Sequence, residues 1–128
     1  HDKGDEGGEP INTWVRTVAV LQSESNYSDA HFFPWAFKAK GIGKLIGAPV
    51  PGTATAVWWE TQIDSSIVFG IPQVGMIALD GSYLENQQLE PDVLVYNNPG
   101  DVATGKDPQL EKAVEVLLED LKTTESPK

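Results

Sequence analysis

The segment that most restricts the fold of this chain is the apolar helix predicted to begin after Ser28. Ser28 and Asp29 form a good amino-terminal cap, and the sequence AHFFPWAFKAK follows them. Apolar residues recur on most faces of this helix, so we expect it to be buried on several sides. Pro34 falls in the second turn, where it removes a hydrogen bond and predicts a kink or a local break. A single layer would not cover such a helix, which indicates a chain that packs against more protein.

The segments around this helix predict an α/β arrangement. Residues 14–21 are β-branched and apolar and predict a buried strand, and Gly41 ends the helix. Asp80 and Gly81 predict a tight hairpin turn. Further strands are predicted at residues 43–47, 53–61, 67–71, 74–79 and 93–96.

The carboxy-terminal helix is the most clearly predicted element. Asp107 caps it, Pro108 takes its first helical position, and apolar residues recur at helical spacing as far as residue 121. We divide the chain into a flexible tail or linker at residues 1–12, a domain portion at residues 13–122 and a frayed tail at residues 123–128. No internal repeat is visible.

Charge and composition exclude several classes of function. The 128 residues carry 9 basic and 19 acidic side chains, a net charge of −10 that argues against nucleic acid or anionic membrane surfaces as partners. The chain has no cysteine and only two histidines, too few for a thiolate or histidine-built metal site. No apolar run is long enough to span a bilayer. We expect no metal and no organic cofactor.

Ser28 has two interpretations. As an N-cap, its hydroxyl would accept a hydrogen bond from the backbone two or three residues further on. As a nucleophile, it would form an oxyanion intermediate held by N–H groups at the positive end of the helix. The local sequence permits both interpretations.

Three separated motifs decide between them. The sequences NYSDA (26–30), FPWAFK (33–38) and GIGKLIG (41–47) resemble the nucleophile segment of tail-specific serine proteases, in particular the tricorn-like branch. YLEN (83–86) with LEPDV (89–93), and then DVA (101–103) with GKDPQL (105–110), are similar to later blocks of the same branch, in the same order. The resemblance implies the carboxy-terminal part of a catalytic domain with a crotonase/ClpP-like spiral core, a mixed sheet, a nucleophile helix and a closing amphipathic helix.

The resemblance also implies the site residues. Ser28 matches the nucleophile and Glu85 the glutamate, which orients the histidine base through a second serine. The backbone N–H of Asp29 would supply one oxyanion donor. The family's glycine-rich turn and its Ser-His pair lie upstream and have no match in this sequence. We therefore expect a missing upstream half to supply the base, and the 128-residue chain to be inactive alone.

Several alternatives accompany this interpretation. His31, one turn after Ser28, is a conceivable base but lacks an evident orienting acid; a structural histidine is the alternative. The related Ser-Lys dyad is disfavoured, because no lysine lies between Lys44 and Lys106. Without the motif at residues 83–86, the alternative interpretation of Glu85 is a solvated carboxylate on an edge strand. The pair at 58–59, Trp-Trp, could line a substrate cleft, although we expect one of the two in the core. A crotonase-type acyl-CoA enzyme would share only the architecture.

We therefore predict a serine endopeptidase that cleaves peptides or unfolded proteins through an acyl-enzyme. The rival function is a non-catalytic interaction module derived from the same fold. Expected partners are the polypeptide substrate and either the missing half of the domain or a second copy, which would form a homo-oligomer. We expect a periplasmic or exported protein of a bacterium rather than a cytoplasmic one.

Overall fold

The computed structural model describes residues 16–124. The start of the first predicted strand and the two predicted tails lie wholly or mainly outside these residues. The elements in chain order are β1 (Ala19–Gln22), α1 (Asp29–Ala39), β2 (Lys44–Gly47), β3 (Thr55–Thr61), β4 (Val68–Gly75), β5 (Val93–Leu94), α2 (Pro99–Ala103) and α3 (Pro108–Thr124). The predicted α/β class is confirmed. The strands predicted at 67–71 and 74–79 are largely one strand, β4, and α2 was not predicted.

A three-stranded parallel sheet in the order β1-β2-β5 forms the centre of the fold. Alternate residues of β2 face opposite sides of this sheet. Leu45 packs in a cluster with Phe37 of α1, whereas Ile46 packs with Ala113 and Val116 of α3. Both faces of the sheet are therefore covered by helices, which explains why residues 45–47 of β2 are all buried.

Leu45→Ala is expected to destabilise the domain by about 2–5 kcal/mol, because Leu45 is completely buried and its loss leaves a cavity. Leu94→Ala in the neighbouring strand β5 is the control, since Leu94 is 59% exposed and its truncation should cost far less. Urea unfolding of the two variants measures the difference. Equal losses of stability would contradict the assignment of Leu45 to the core.

Of the kink or local break predicted at Pro34, the break is wrong, because the helix runs without interruption from Asp29 to Ala39. Proline has no N–H and leaves the carbonyl of residue 30 without its helical donor. The side-chain amide of Asn26 donates to that oxygen, Ala30 O, at 3.0 Å. This bond replaces the missing helical one. The helix is also less covered than expected, since its buried residues are His31, Pro34 and Phe37 while Phe33 is 63% exposed.

β3 and β4 form a separate antiparallel ribbon, which projects apolar side chains from both of its faces. A register shift between Ala56 and Val57 marks a bulge near the start of β3. The expectation that one residue of the tryptophan pair lies in the core is wrong, since Trp58 is 56% and Trp59 65% exposed. Both belong to the two-stranded ribbon, where no further layer of the described chain packs on them.

The closing helix α3 begins as predicted. A carboxylate oxygen of Asp107 accepts the N–H of Leu110 at 3.0 Å, and the same oxygen accepts the side-chain amide of Asn97 at 2.9 Å. These contacts satisfy a helix-terminal donor that would otherwise be unpaired. None of the helices in residues 16–124 has the length and apolar character needed to cross a membrane.

Candidate active site

Ser28 lies at the amino-terminal end of α1 in a strained backbone conformation. Its φ of 53° and ψ of −115° lie in a region that residues with a side chain rarely adopt. Its backbone N–H donates to Oγ1 of Thr53 at 2.9 Å, and its carbonyl accepts the N–H of His31 at 2.7 Å. The side chain makes no capping hydrogen bond. The N-cap interpretation therefore fails for the hydroxyl, which is left available for another use.

The first N–H groups of α1 lie next to Ser28 in sequence. Within residues 16–124 no acceptor takes the N–H of Asp29. The amino terminus of a helix carries partial positive charge, and such free donors stabilise an anion. The arrangement can therefore supply a backbone donor to an oxyanion formed at Ser28.

Glu85 is fixed by the residues on either side of it. Leu84 is 4% exposed and anchors the segment in the core. Asn86 has a φ of 62°, a left-handed conformation that asparagine tolerates, and its N–H donates to Gly52 O at 2.8 Å. The chain therefore turns at Glu85 and Asn86, and the Glu85 carboxylate lies against the start of β3.

The carboxylate of Glu85 accepts two hydrogen bonds at one oxygen. The N–H of Ala54 donates to Oε2 at 2.6 Å, and the hydroxyl of Thr55 donates to the same atom at 2.7 Å. These two bonds, in that order, are the main causes that lower the pKa of Glu85, and the nearby His31 contributes a smaller effect. Glu85 is therefore ionised at neutral pH. Because two groups donate to its carboxylate, Glu85 is not the inert, fully solvated carboxylate of the alternative interpretation.

Ser28 and Glu85 line the same cavity, which has a volume of about 360 Å³. Its other lining residues are Tyr27, Thr53, Thr55, Val57 and Pro72. The two sequence-predicted side chains, 57 positions apart in the chain, therefore share one concave site. Such a cavity, with a few convergent polar groups and mostly apolar walls, is typical of a ligand site.

A larger cavity, of about 710 Å³, lies elsewhere, against α1, β2 and α3. Its charged lining includes Lys38, Lys44 and Lys112. Each of these lysines is in an ion pair, Lys38 with Asp92 at 3.0 Å, Lys44 with Asp120 at 2.8 Å, and Lys112 with Glu115 at 2.9 Å. The larger cavity contains no candidate nucleophile, so its size does not make it the active site.

His31 is completely buried beneath the amino terminus of α1. Neither of its ring nitrogens has a hydrogen-bond partner among the described residues, so the imidazole is not bonded to Ser28. A general base must come within hydrogen-bond reach of the serine proton, and the imidazole of His31 makes no such bond here. The geometry therefore disfavours His31 as the base and favours its structural alternative.

Sequence reasoning missed Thr53 and Thr55. Thr53 positions the backbone of Ser28 and Thr55 positions the carboxylate of Glu85, so one short segment joins the two predicted residues. The only local signal is the alternation of the two threonines within the strand predicted at residues 53–61. Their partners lie 25 and 30 positions away and carry no sequence signal of the pairing.

The strained serine at a helix amino terminus and the ionised glutamate share one cavity of an α/β fold, which makes this cavity the candidate active site. A family model described as peptidase family S41 matches residues 1–95, and this chain belongs to that family. Within the family it is tricorn-like, as the resemblance of its motifs predicted.

Among its relatives, the tricorn protease of Thermoplasma acidophilum is 30% identical over 88% of this chain. A tricorn-like protease C-terminal subunit of Sulfurisphaera tokodaii, itself described as putative, is 28% identical over 92% of this chain. The chain covers 11% of the former protein and 14% of the latter. It thus spans little more than a tenth of the length of the relatives it matches.

Solved structures agree with this assignment. The crystal structure of the tricorn protease superimposes with a TM-score of 0.74 at 30% identity, over 83% of this chain and 10% of that one. Mature CPAF superimposes with a TM-score of 0.67 at 19% identity, over 85% of this chain and 21% of that one. The second likeness shows the fold alone. The predicted fold class is confirmed by both.

Proposed function

We propose that this chain is the nucleophile-bearing part of a serine endopeptidase domain that cleaves peptides or unfolded polypeptides. The observation that carries the proposal is the shared cavity of Ser28 and Glu85, with Ser28 strained and its hydroxyl free of a capping bond. Strained residues cluster at sites where function requires a particular orientation. Membership of a peptidase family and similarity to tricorn proteases support the same conclusion.

In the proposed mechanism, the Ser28 hydroxyl loses its proton to a histidine base and attacks the substrate carbonyl. A tetrahedral oxyanion forms, then collapses to an acyl-enzyme as the base returns the proton to the leaving amine. Water, activated by the same base, attacks the acyl carbon and regenerates Ser28. The N–H of Asp29 donates to the oxyanion, and ionised Glu85 orients the base through an intervening serine.

The histidine base, the intervening serine and the second oxyanion donor are proposed to come from protein outside these 128 residues. The substrate and this complementing part of the domain are the proposed partners. A neutral serine hydroxyl is a weak nucleophile without an adjacent base. The imidazole of His31 makes no hydrogen bond to Ser28 and does not fill that role here.

The test is fluorophosphonate labelling of the isolated 128-residue chain beside the complete catalytic domain. We expect rapid, stoichiometric labelling of Ser28 in the complete domain and a rate lower by at least about 10²-fold in the isolated chain, since one missing oxyanion donor alone costs about 10²–10³-fold. Mass spectrometry of the labelled peptides identifies the modified residue.

Three outcomes would contradict parts of this proposal. Equal labelling of the isolated chain would show that a base is present in it, and His31→Gln would then test that histidine. Labelling at another serine would remove Ser28 from its role. No labelling in the complete domain, together with no peptide cleavage, would favour the rival function, a non-catalytic interaction module.

A further inference from the structure

The β3–β4 ribbon extends the wall of the Ser28 cavity. Val57 and Pro72 are cross-strand partners, and both line that cavity. Because residues two apart in a strand share a face, Trp59 lies on the same face as Val57, about 7 Å further from the cavity. We call this the site-side face. The side chain of Trp59 is 65% exposed.

The indole of Trp59 is held over a position that has no side chain. Trp59 pairs with Gly70 across the ribbon, and a Cβ atom added at Gly70 would lie 2.9 Å from the indole ring. The ring therefore packs across the backbone of β4 at Gly70. One side of the ring packs on Gly70 and the indole as a whole is largely exposed, which leaves an apolar ring surface open beside the cavity.

The two faces of the ribbon differ in charge. The site-side face carries uncharged side chains, from Val57, Trp59, Thr61, Val68 and Pro72. The opposite face carries Trp58, Phe69, Ile71 and the charged Glu60, and the indole Nε1 of Trp58 donates to the Glu60 carboxylate at 2.8 Å. An uncharged, largely apolar surface continuous with the cavity suits an apolar side chain.

We propose that Trp59 is a substrate-binding residue, whose indole stacks against a bulky apolar side chain, aromatic above all, of the polypeptide being cleaved. The inference rests on the proposed peptidase function. An extended substrate repeats its side chains on one face at the same spacing as β3. The bound side chain therefore belongs to a substrate residue near, but not at, the bond that Ser28 attacks.

The test uses the complete catalytic domain and a peptide series in which one phenylalanine is moved along an otherwise alanine- and glycine-rich sequence. At one position near the cleaved bond, phenylalanine should raise kcat/KM, mainly through a lower KM. Trp59→Ala should remove about 3- to 10-fold of this gain, the range expected for an aromatic pair. For peptides with alanine at that position, the loss caused by Trp59→Ala should be smaller than for the phenylalanine peptide.

Trp58→Ala is the matched control, because Trp58 is similarly exposed in the same strand but faces away from the cavity. It should leave the phenylalanine preference unchanged. Gly70→Ala keeps the indole but pushes it off its support, and should weaken the preference as Trp59→Ala does. Loss of the preference in Trp58→Ala to the same degree, or its persistence in Trp59→Ala, would overturn the proposal.

A binding measurement separates this inference from the proposed function. Peptides with a fluorescent label are titrated into the Ser28→Ala domain, where anisotropy reports affinity without cleavage. Tighter binding of the phenylalanine peptide that depends on Trp59 but not on Trp58 would support the binding role of Trp59 even in a protein that hydrolyses nothing. Hydrolysis by the parent domain without any such dependence would reject the binding role of Trp59 and leave the peptidase function intact.

Discussion

Ser28→Ala is expected to abolish peptide cleavage by the complete catalytic domain, since no acyl-enzyme can form without the hydroxyl. The loss should exceed about 10⁴-fold in kcat, and the residual rate should not depend on fluorophosphonate treatment. Folding should be little changed, because the Ser28 side chain makes no capping bond and its loss removes no helix contact. Peptide turnover and urea unfolding measure the two effects.

Ser25→Ala is the control for Ser28→Ala. Ser25 lies in the same exposed loop, and its substitution should leave turnover unchanged. Ser28→Gly adds a second check: it should be as inactive as Ser28→Ala but more stable by about 1–3 kcal/mol, because glycine adopts a φ of 53° without strain. Undiminished turnover in Ser28→Ala would end the assignment of Ser28 as nucleophile.

Glu85→Gln is expected to lower kcat by about 10²-fold or more, with a smaller change in KM, if the carboxylate orients the base. Glutamine keeps the shape of the side chain but removes the charge. The carboxamide oxygen still accepts the bonds from Ala54 and Thr55, so the segment should stay in place. Steady-state kinetics with a peptide substrate measure the effect.

The pH dependence of the free energy of unfolding gives a second test of Glu85. Its pKa is lowered by the two hydrogen bonds, so the ionised form persists below the ordinary carboxyl range. Their stabilising effect is fully present above the unfolded-state pKa and is lost as pH falls through the lower folded-state pKa. Glu90→Gln is the control, since Glu90 is exposed and its carboxylate contacts only Gln88 among the described residues.

Activity of Glu85→Gln within about twofold of the parent would reduce Glu85 to a structural role.

Local sequence signals predicted much of the secondary structure, and they failed where a distant or solvent-facing environment decides the outcome. The cap of α3 at Asp107 and the end of α1 at Gly41 depend on residues close in sequence, and both were predicted. The break at Pro34 was wrong because an asparagine outside the helix supplies the missing donor. The core position expected for one tryptophan was wrong because the ribbon has no layer over it in residues 16–124.

The sequence by itself determined the class of this protein and its candidate nucleophile. Apolar periodicity and the order of the elements specify an α/β fold, and the ordered motifs around Ser28 and Glu85 specify the family. Only the tertiary structure decided how the site is held together. The Ser28 N–H donates to Thr53 Oγ1, and Ala54 and Thr55 donate to the Glu85 carboxylate, so residues 53–55 join the two predicted residues. Such contacts depend on chain packing between distant positions, which local propensity and periodicity do not encode.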